Sequence, residues 1–204
     1  MFARRVMKYL HRTARQKERT MKRSTKLSGV LAAALLLTMV IVPVAANEEE
    51  GTVTTRLSGY QETPLTINST ASGEFTARIR DGGTAIVYEL TYRDLSSPVA
   101  QSHIHFGRPA ISGMIVLFLC TNLAPPAGVP TPQACPAAPA TIMGTLTAAD
   151  VIPRPQQGID PGAAGFAEML KAIRAGAAYA NVHTTVFPTG EIRGRLRAHG
   201  PDDQ

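Results

Sequence analysis

The 204-residue chain carries a formal net charge of +6, two cysteines and no tryptophan. Its charge is unevenly placed: residues 1–46 hold ten of the 21 Lys and Arg and one of the 15 Asp and Glu, so residues 47–204 hold 11 basic and 14 acidic side chains, a net of −3. That leaves no clustered basic face, which excludes a nucleic-acid partner, and the remaining roughly 158 residues suit one domain.

The basic N-terminal part has the form of a secretory leader. Lys22-Arg23-Ser24-Thr25-Lys26 precedes an apolar run from Leu27 to Val42, and the small residues Val44-Ala45-Ala46 suit signal peptidase. Cleavage near Ala46 would give a secreted or periplasmic protein beginning at Asn47. Met21 opens a leader of ordinary proportions, so residues 1–20 read as an extension. The alternative is an uncleaved signal anchor at 27–46, the one route to membrane contact. Residues 47–51 form an acidic lead-in.

Strand signals follow closely. Thr52–Leu57 is the first, and Gly59-Tyr60-Gln61-Glu62-Thr63-Pro64 is a turn-rich excursion. Asn68-Ser69-Thr70 within the next stretch matches a glycosylation acceptor, relevant only to a host with that pathway. Residues 71–80 alternate, with Phe75, Ala77 and Ile79 on one face. Asp81-Gly82-Gly83-Thr84 then turns the chain into 85–92, which sets Ile86, Tyr88, Leu90 and Tyr92 on one face. Residues 102–106 and 114–120 are two more strands. The second is apolar on both faces, so it should be central or sandwiched. Cys120 and Cys135 are the only cysteines, and in an exported chain they predict a disulfide that clamps the Pro-rich loop between them. Closing a loop of that length contributes about 3 kcal/mol in the chain-entropy description.

Residues 141–147 form the next strand, and Thr147-Ala148-Ala149-Asp150 imitates a helix start. The helical spacing of Phe166, Met169, Leu170 and Ile173 predicts one short helix near 164–175, stopped at Gly176. Residues 177–185 and 191–197 close the domain as a hairpin. The expected fold is mainly β, an antiparallel β-sandwich or Greek-key-like barrel of about eight strands. The domain spans 52–198, and residues 199–204, with His199, form a polar tail.

Four motifs in order carry a resemblance. They are Leu57-Ser58-Gly59-Tyr60-Gln61-Glu62-Thr63-Pro64, His103-Ile104-His105-Phe106-Gly107, the run from Ile173 to Thr184 ending Asn181-Val182-His183-Thr184, and Phe187-Pro188-Thr189-Gly190-Glu191-Ile192-Arg193-Gly194. Together they resemble the CHRD domain, named for the extracellular protein chordin and present in microbial secreted proteins. The resemblance implies an extracellular β-rich module without an assigned activity. The chain lacks the Cys-rich modules that accompany the domain in chordin, so growth-factor binding is not implied.

The histidines are the candidate site. His103 and His105 share a strand face, and His183 on another strand would complete a three-imidazole zinc or copper site if the strands meet. Nitrogens more than about 5 Å apart would rule out direct coordination by all three. Asn181 and Tyr179 share the face of His183 as candidate supports, and Glu191 is the candidate acid or base. The other reading is a polar cluster that ties strands together through both ring nitrogens. Arg193, Arg195 and Arg197, with Glu191, form either a cationic stripe for an acidic glycan or partner, or a solvated face. The chain has no G-x-S-x-G, no phosphate-binding glycine loop and no HExxH. The first expectation is therefore a non-enzymatic extracytoplasmic binding or structural module, its partner an extracellular protein or glycan. The second is a metal protein, redox-active if it holds copper. Outside zinc or copper at the histidines, no cofactor is expected.

Overall fold

The computed structural model describes residues 51–199 apart from Pro126 and Pro130. The leader, most of the acidic lead-in and residues 200–204 lie outside the described residues. Nine strands form the frame: β1 (Thr52–Ser58), β2 (Ser72–Arg80), β3 (Ala85–Arg93), β4 (Val99–Phe106), β5 (Met114–Thr121), β6 (Ala140–Thr147), β7 (Ala178–Thr184), β8 (Ile192–Leu196) and β9 (Ala198–His199). One helix, α1 (Gly162–Arg174), interrupts them. Among the described residues no helix is long and apolar enough to cross a membrane.

All strand pairs are antiparallel, in the order β5-β4-β7-β8-β1-β2-β3-β6, with β9 beside β1. The sheet curls into a nearly closed barrel, so of the two expected forms the barrel is the one adopted. Where β5 and β6 approach, side chains span the seam. Gln133 Nε2 donates to the Met143 carbonyl (2.9 Å), and Tyr88 Oη donates to the Leu119 carbonyl (2.8 Å). The backbone N–H of Ile152 adds a bond to Val116 (2.9 Å). These bonds cover part of the edge that would otherwise be open to another chain. They also explain how β5 lies at an end of the strand order yet is buried on both faces over most of its length.

Alternation places Phe75, Ile79, Ile86, Leu90 and Ile104 in one core, and α1 packs Phe166, Met169, Leu170 and Ile173 into it. The helix ends in a Schellman arrangement: Gly176 N–H donates to the Ile173 carbonyl (2.9 Å) and Ala177 N–H to the Ala172 carbonyl (2.8 Å). Gly176 adopts φ +64°, which glycine tolerates at no steric cost. Thr147 and Asp150 do form a reciprocal capping box, but it heads only the single 3-10 turn Ala148–Asp150. His199, expected in the polar tail, pairs with Thr52 through β9 and is exposed.

Cys120 and Cys135 are disulfide-bonded. Asn122 reinforces the clamp, since its Nδ2 donates to the carbonyls of Val99 (3.0 Å) and Cys135 (2.9 Å) while its Oδ1 accepts from Cys135 N–H (3.0 Å).

Candidate metal centre

The pairing of β4 with β7 brings the two histidine motifs together. His103 lies opposite Asn181, His105 opposite Tyr179, and Gln101 opposite His183. Because side chains alternate, His103, His105, Tyr179, Asn181 and His183 share one face. Ile104, Ala180 and Val182, all at 0% exposure, point the other way into the core. The cluster is therefore on the outer face of the barrel. It is nevertheless buried, with His103 at 0% and His105 and His183 at 6% exposure.

Neighbouring strands complete this face. Two register shifts in the β4–β5 ladder, after Ser102 and after Ile104, bracket the pairing of His103 with Phe118. Bulges of this kind re-aim side chains beside functional sites. Here Phe118 meets the His103 ring edge-on, with centroids 4.6 Å apart. On the other side β8 pairs Arg193 with Asn181 and Arg195 with Tyr179.

The imidazoles converge. Ring centroids lie 4.8 Å apart for His103 and His183, 5.4 Å for His103 and His105, and 5.9 Å for His105 and His183. One nitrogen from each residue lies within 4.8 Å of the others, inside the 5 Å limit set from the sequence. Two loops that return over the cluster orient two of the rings. Nδ1 of His105 is 3.0 Å from the Gly113 carbonyl, and Nδ1 of His183 is 3.0 Å from the Pro188 carbonyl. A carbonyl only accepts, so Nδ1 carries the proton and Nε2 keeps its lone pair in both residues. Both Nε2 atoms, and both ring nitrogens of His103, are buried without a hydrogen-bond partner.

Burial also keeps these rings neutral. It pushes His105 down to about 3, against the opposing pull of the Gly113 carbonyl, and nearby His183, Arg193 and Arg154 lower it further. His103 is held well below the ordinary histidine range by burial, then by the repulsion that a protonated His183 or His105 would exert on it. His183 is lowered by burial and partly restored by Pro188. Neutral imidazoles are the ligand form for zinc and copper.

Tyr179 supports the centre directly. Its ring stacks on His105 with centroids 4.6 Å apart and planes 7° from parallel. Its hydroxyl accepts from Gly113 N–H (3.0 Å), the residue whose carbonyl holds His105. The Arg193 guanidinium carbon lies 3.4 Å from the centroid of the same ring. Arg193, Tyr179 and His105 thus form three layers, in the order of strands β8, β7 and β4.

Other expected site residues are placed differently. Glu191 is fully buried and serves a separate network. It accepts from Ser69 Oγ (2.7 Å), Ser96 N–H (2.9 Å), Ser96 Oγ (3.0 Å) and Thr184 Oγ1 (2.8 Å). Thr184 is one residue past His183, so parity turns this carboxylate toward the opposite side. The Glu191 bonds fasten loops, and none of them goes to an imidazole. The expected arginine stripe is also divided. Arg195 and Arg197 are exposed, but Arg193 is 4% exposed and inside the protein. Its nitrogens donate to Thr63 Oγ1 and to the Ile111 carbonyl (2.9 Å).

Asn181 makes no bond to an imidazole. Its Nδ2 donates to Glu62 Oε1 (2.5 Å) and to the Ile192 carbonyl (2.8 Å). Glu62 is the polar residue that sequence reasoning missed: a glutamate in a turn-rich segment reads as solvated, yet it is 5% exposed. Burial pushes its carboxyl up to about 7, against the Asn181 bond and the Arg193 charge. The unfolded chain would release this proton near 4.5, whereas the folded protein keeps it to about 7. Across that window the folded state binds more protons, so stability falls as pH rises. Glu62 accounts for about 2–3 kcal/mol of that fall. Urea midpoints measured at about pH 5 and about pH 7.5 should therefore diverge less in Glu62→Gln than in the parent. An equal fall in both proteins would contradict the assignment.

Residues 53–196 match the family model described as the CHRD domain. No curated protein and no solved structure matches the chain.

Proposed function

We propose that this chain, which belongs to the CHRD domain family, acts as an exported β-domain that holds one zinc or copper ion on His103, His105 and His183. The supporting observation is the convergence of buried, unpartnered ring nitrogens. In a purely structural cluster each ring would tie strands together through both nitrogens. Here His103 ties nothing, and leaving such groups buried and unpaired costs about 1–3 kcal/mol each. A metal ion offers every one of the three rings a partner.

The details agree with that reading. His105 and His183 each donate Nδ1–H to a carbonyl, the outer arrangement that fixes tautomer and ring direction in metal-bound histidines. Metal–nitrogen bonds of about 2.0–2.1 Å would bring the ligand nitrogens to about 3.3–3.5 Å from one another. The separations at present reach up to 4.8 Å, so coordination by all three would require the rings to draw together. The group of His, Cys, Asp and Glu ligands among the described residues has three members, which leaves a further coordination position. The disulfide supports an oxidising compartment, in keeping with cleavage of the leader near Ala46.

Full-length protein purified without a histidine tag, exposed to zinc or copper and freed of loose ions, is expected to retain one ion per chain by elemental mass spectrometry. His105→Ala should lose it. Absence of stoichiometric metal after exposure to both ions would leave the domain as a binding or structural module without a metal centre.

A further inference from the structure

A cleft of about 530 Å³ is lined by Tyr179 but by none of the three histidines. The segment that follows β1 forms one wall, from Tyr60 to Thr66, and residues between Gly107 and Ala110 form another. Ala178 and Tyr179 of β7, with Arg193 and Arg195 of β8, supply the floor.

Its charge is unusual for a buried floor. Arg193 is 4% exposed, and its described hydrogen bonds go to a hydroxyl and to backbone carbonyls, all neutral. Its guanidinium stays charged. Glu62 is the carboxylate nearest in the lining, but its described side-chain bond is to Asn181, and burial favours its neutral form. Arg195 is exposed in the same cleft. Its Nε donates to the Gly176 carbonyl (2.8 Å), and its terminal nitrogens make no described bond. Two guanidiniums face a single carboxyl, Glu62, which burial holds partly neutral, so the lining keeps net positive charge. That favours an oxyanion, because charge-assisted bonds to carboxylate or sulfate are the strong ones arginine forms.

The mouth adds a second feature. Tyr60 is 68% exposed, and its hydroxyl donates to Asn68 Oδ1 (3.2 Å). A rigid, amphipathic ring at the rim of a polar cleft suits a ligand with both an apolar face and hydroxyl groups. Gln61, Thr63 and Thr66 in the lining provide polar atoms for such hydroxyls. The volume is that of a small-ligand pocket.

We propose that this cleft binds an acidic saccharide, with its carboxylate or sulfate on the exposed Arg195, the buried Arg193 adding positive charge beneath it, and a sugar ring against Tyr60. None of the three histidines lines this cleft, so the proposal does not require a bound metal.

Calorimetric titration of the full chain with a uronate disaccharide, a sulfated disaccharide, neutral cellobiose and inorganic sulfate tests it. At least one acidic disaccharide should bind, with the neutral sugar and the free ion weaker by about tenfold or more. Which acidic sugar binds identifies the anionic group. Arg195→Ala should weaken binding by about tenfold or more with little change in melting temperature, because Arg195 is exposed. Tyr60→Ala, also at the surface, should weaken it independently. The proposal is overturned if no acidic sugar binds, if cellobiose or sulfate binds equally well, or if both variants bind as the parent does.

Discussion

Replacing His103 with leucine is expected to raise the stability of the metal-free protein by about 1–3 kcal/mol and to abolish its response to zinc or copper. His103 is fully buried, and neither of its ring nitrogens has a partner. Leucine removes both orphaned atoms and keeps an apolar contact with Phe118, which now meets the ring at 4.6 Å. The cavity term is small because the side chains are similar in volume. The metal response follows from linkage. An ion that binds only the folded state stabilises the parent by about 2.7 kcal/mol at a hundred times its dissociation constant. With His103 gone, only two of the three imidazoles remain. Urea unfolding of parent and variant, each in chelator and in excess metal, separates the two effects. A variant destabilised by several kcal/mol in chelator, yet still stabilised by metal, would mean that the ring is a structural tie.

Gly113→Ala should be among the most damaging single changes in the domain. A Cβ at this position would lie 1.9 Å from the Phe106 carbonyl oxygen and 2.5 Å from its carbon. Those atoms are backbone, so no rotamer relieves the overlap, and the loop after β4 must move. The same residue holds His105 through its carbonyl and Tyr179 through its N–H. A loss of about 3 kcal/mol or more is expected from overpacking and broken bonds together. Metal affinity should fall by about 10–100-fold, because the outer partner of a ligand is displaced. Denaturant titration and competition with a chromophoric chelator measure the two losses. A variant within about 1 kcal/mol of the parent would contradict this account of the loop.

Local features carried the fold into view. The alternation of Phe75, Ala77 and Ile79, the glycine turn at 82–83 and the helical spacing of Phe166, Met169, Leu170 and Ile173 each describe one element and its buried face. Parity likewise put His103 and His105 on one face. What parity does not supply is a partner strand, because pairing between distant segments depends on the whole topology. The meeting of β4 with β7, and hence of the three imidazoles, became visible only with the register.

Charged residues misled for a related reason. Arg193 and Arg195 obey the same alternation, yet one lies beneath the loops and the other in solvent. No property of β8 itself distinguishes them, since the cover comes from residues around Thr63 and Ile111. Glu62 and Glu191 are buried by the same kind of long-range closure. A carboxylate in a turn gives no local sign that serines and threonines from other segments will gather around it, as they do at Glu191.

X-ray absorption on the metal-loaded, untagged full chain tests the central claim most directly. A shell of three imidazole nitrogens at about 2.0–2.1 Å, reduced in His103→Leu, is the expected result. A shell made only of oxygen or sulfur, or an unchanged spectrum in His103→Leu, would contradict the three-histidine centre.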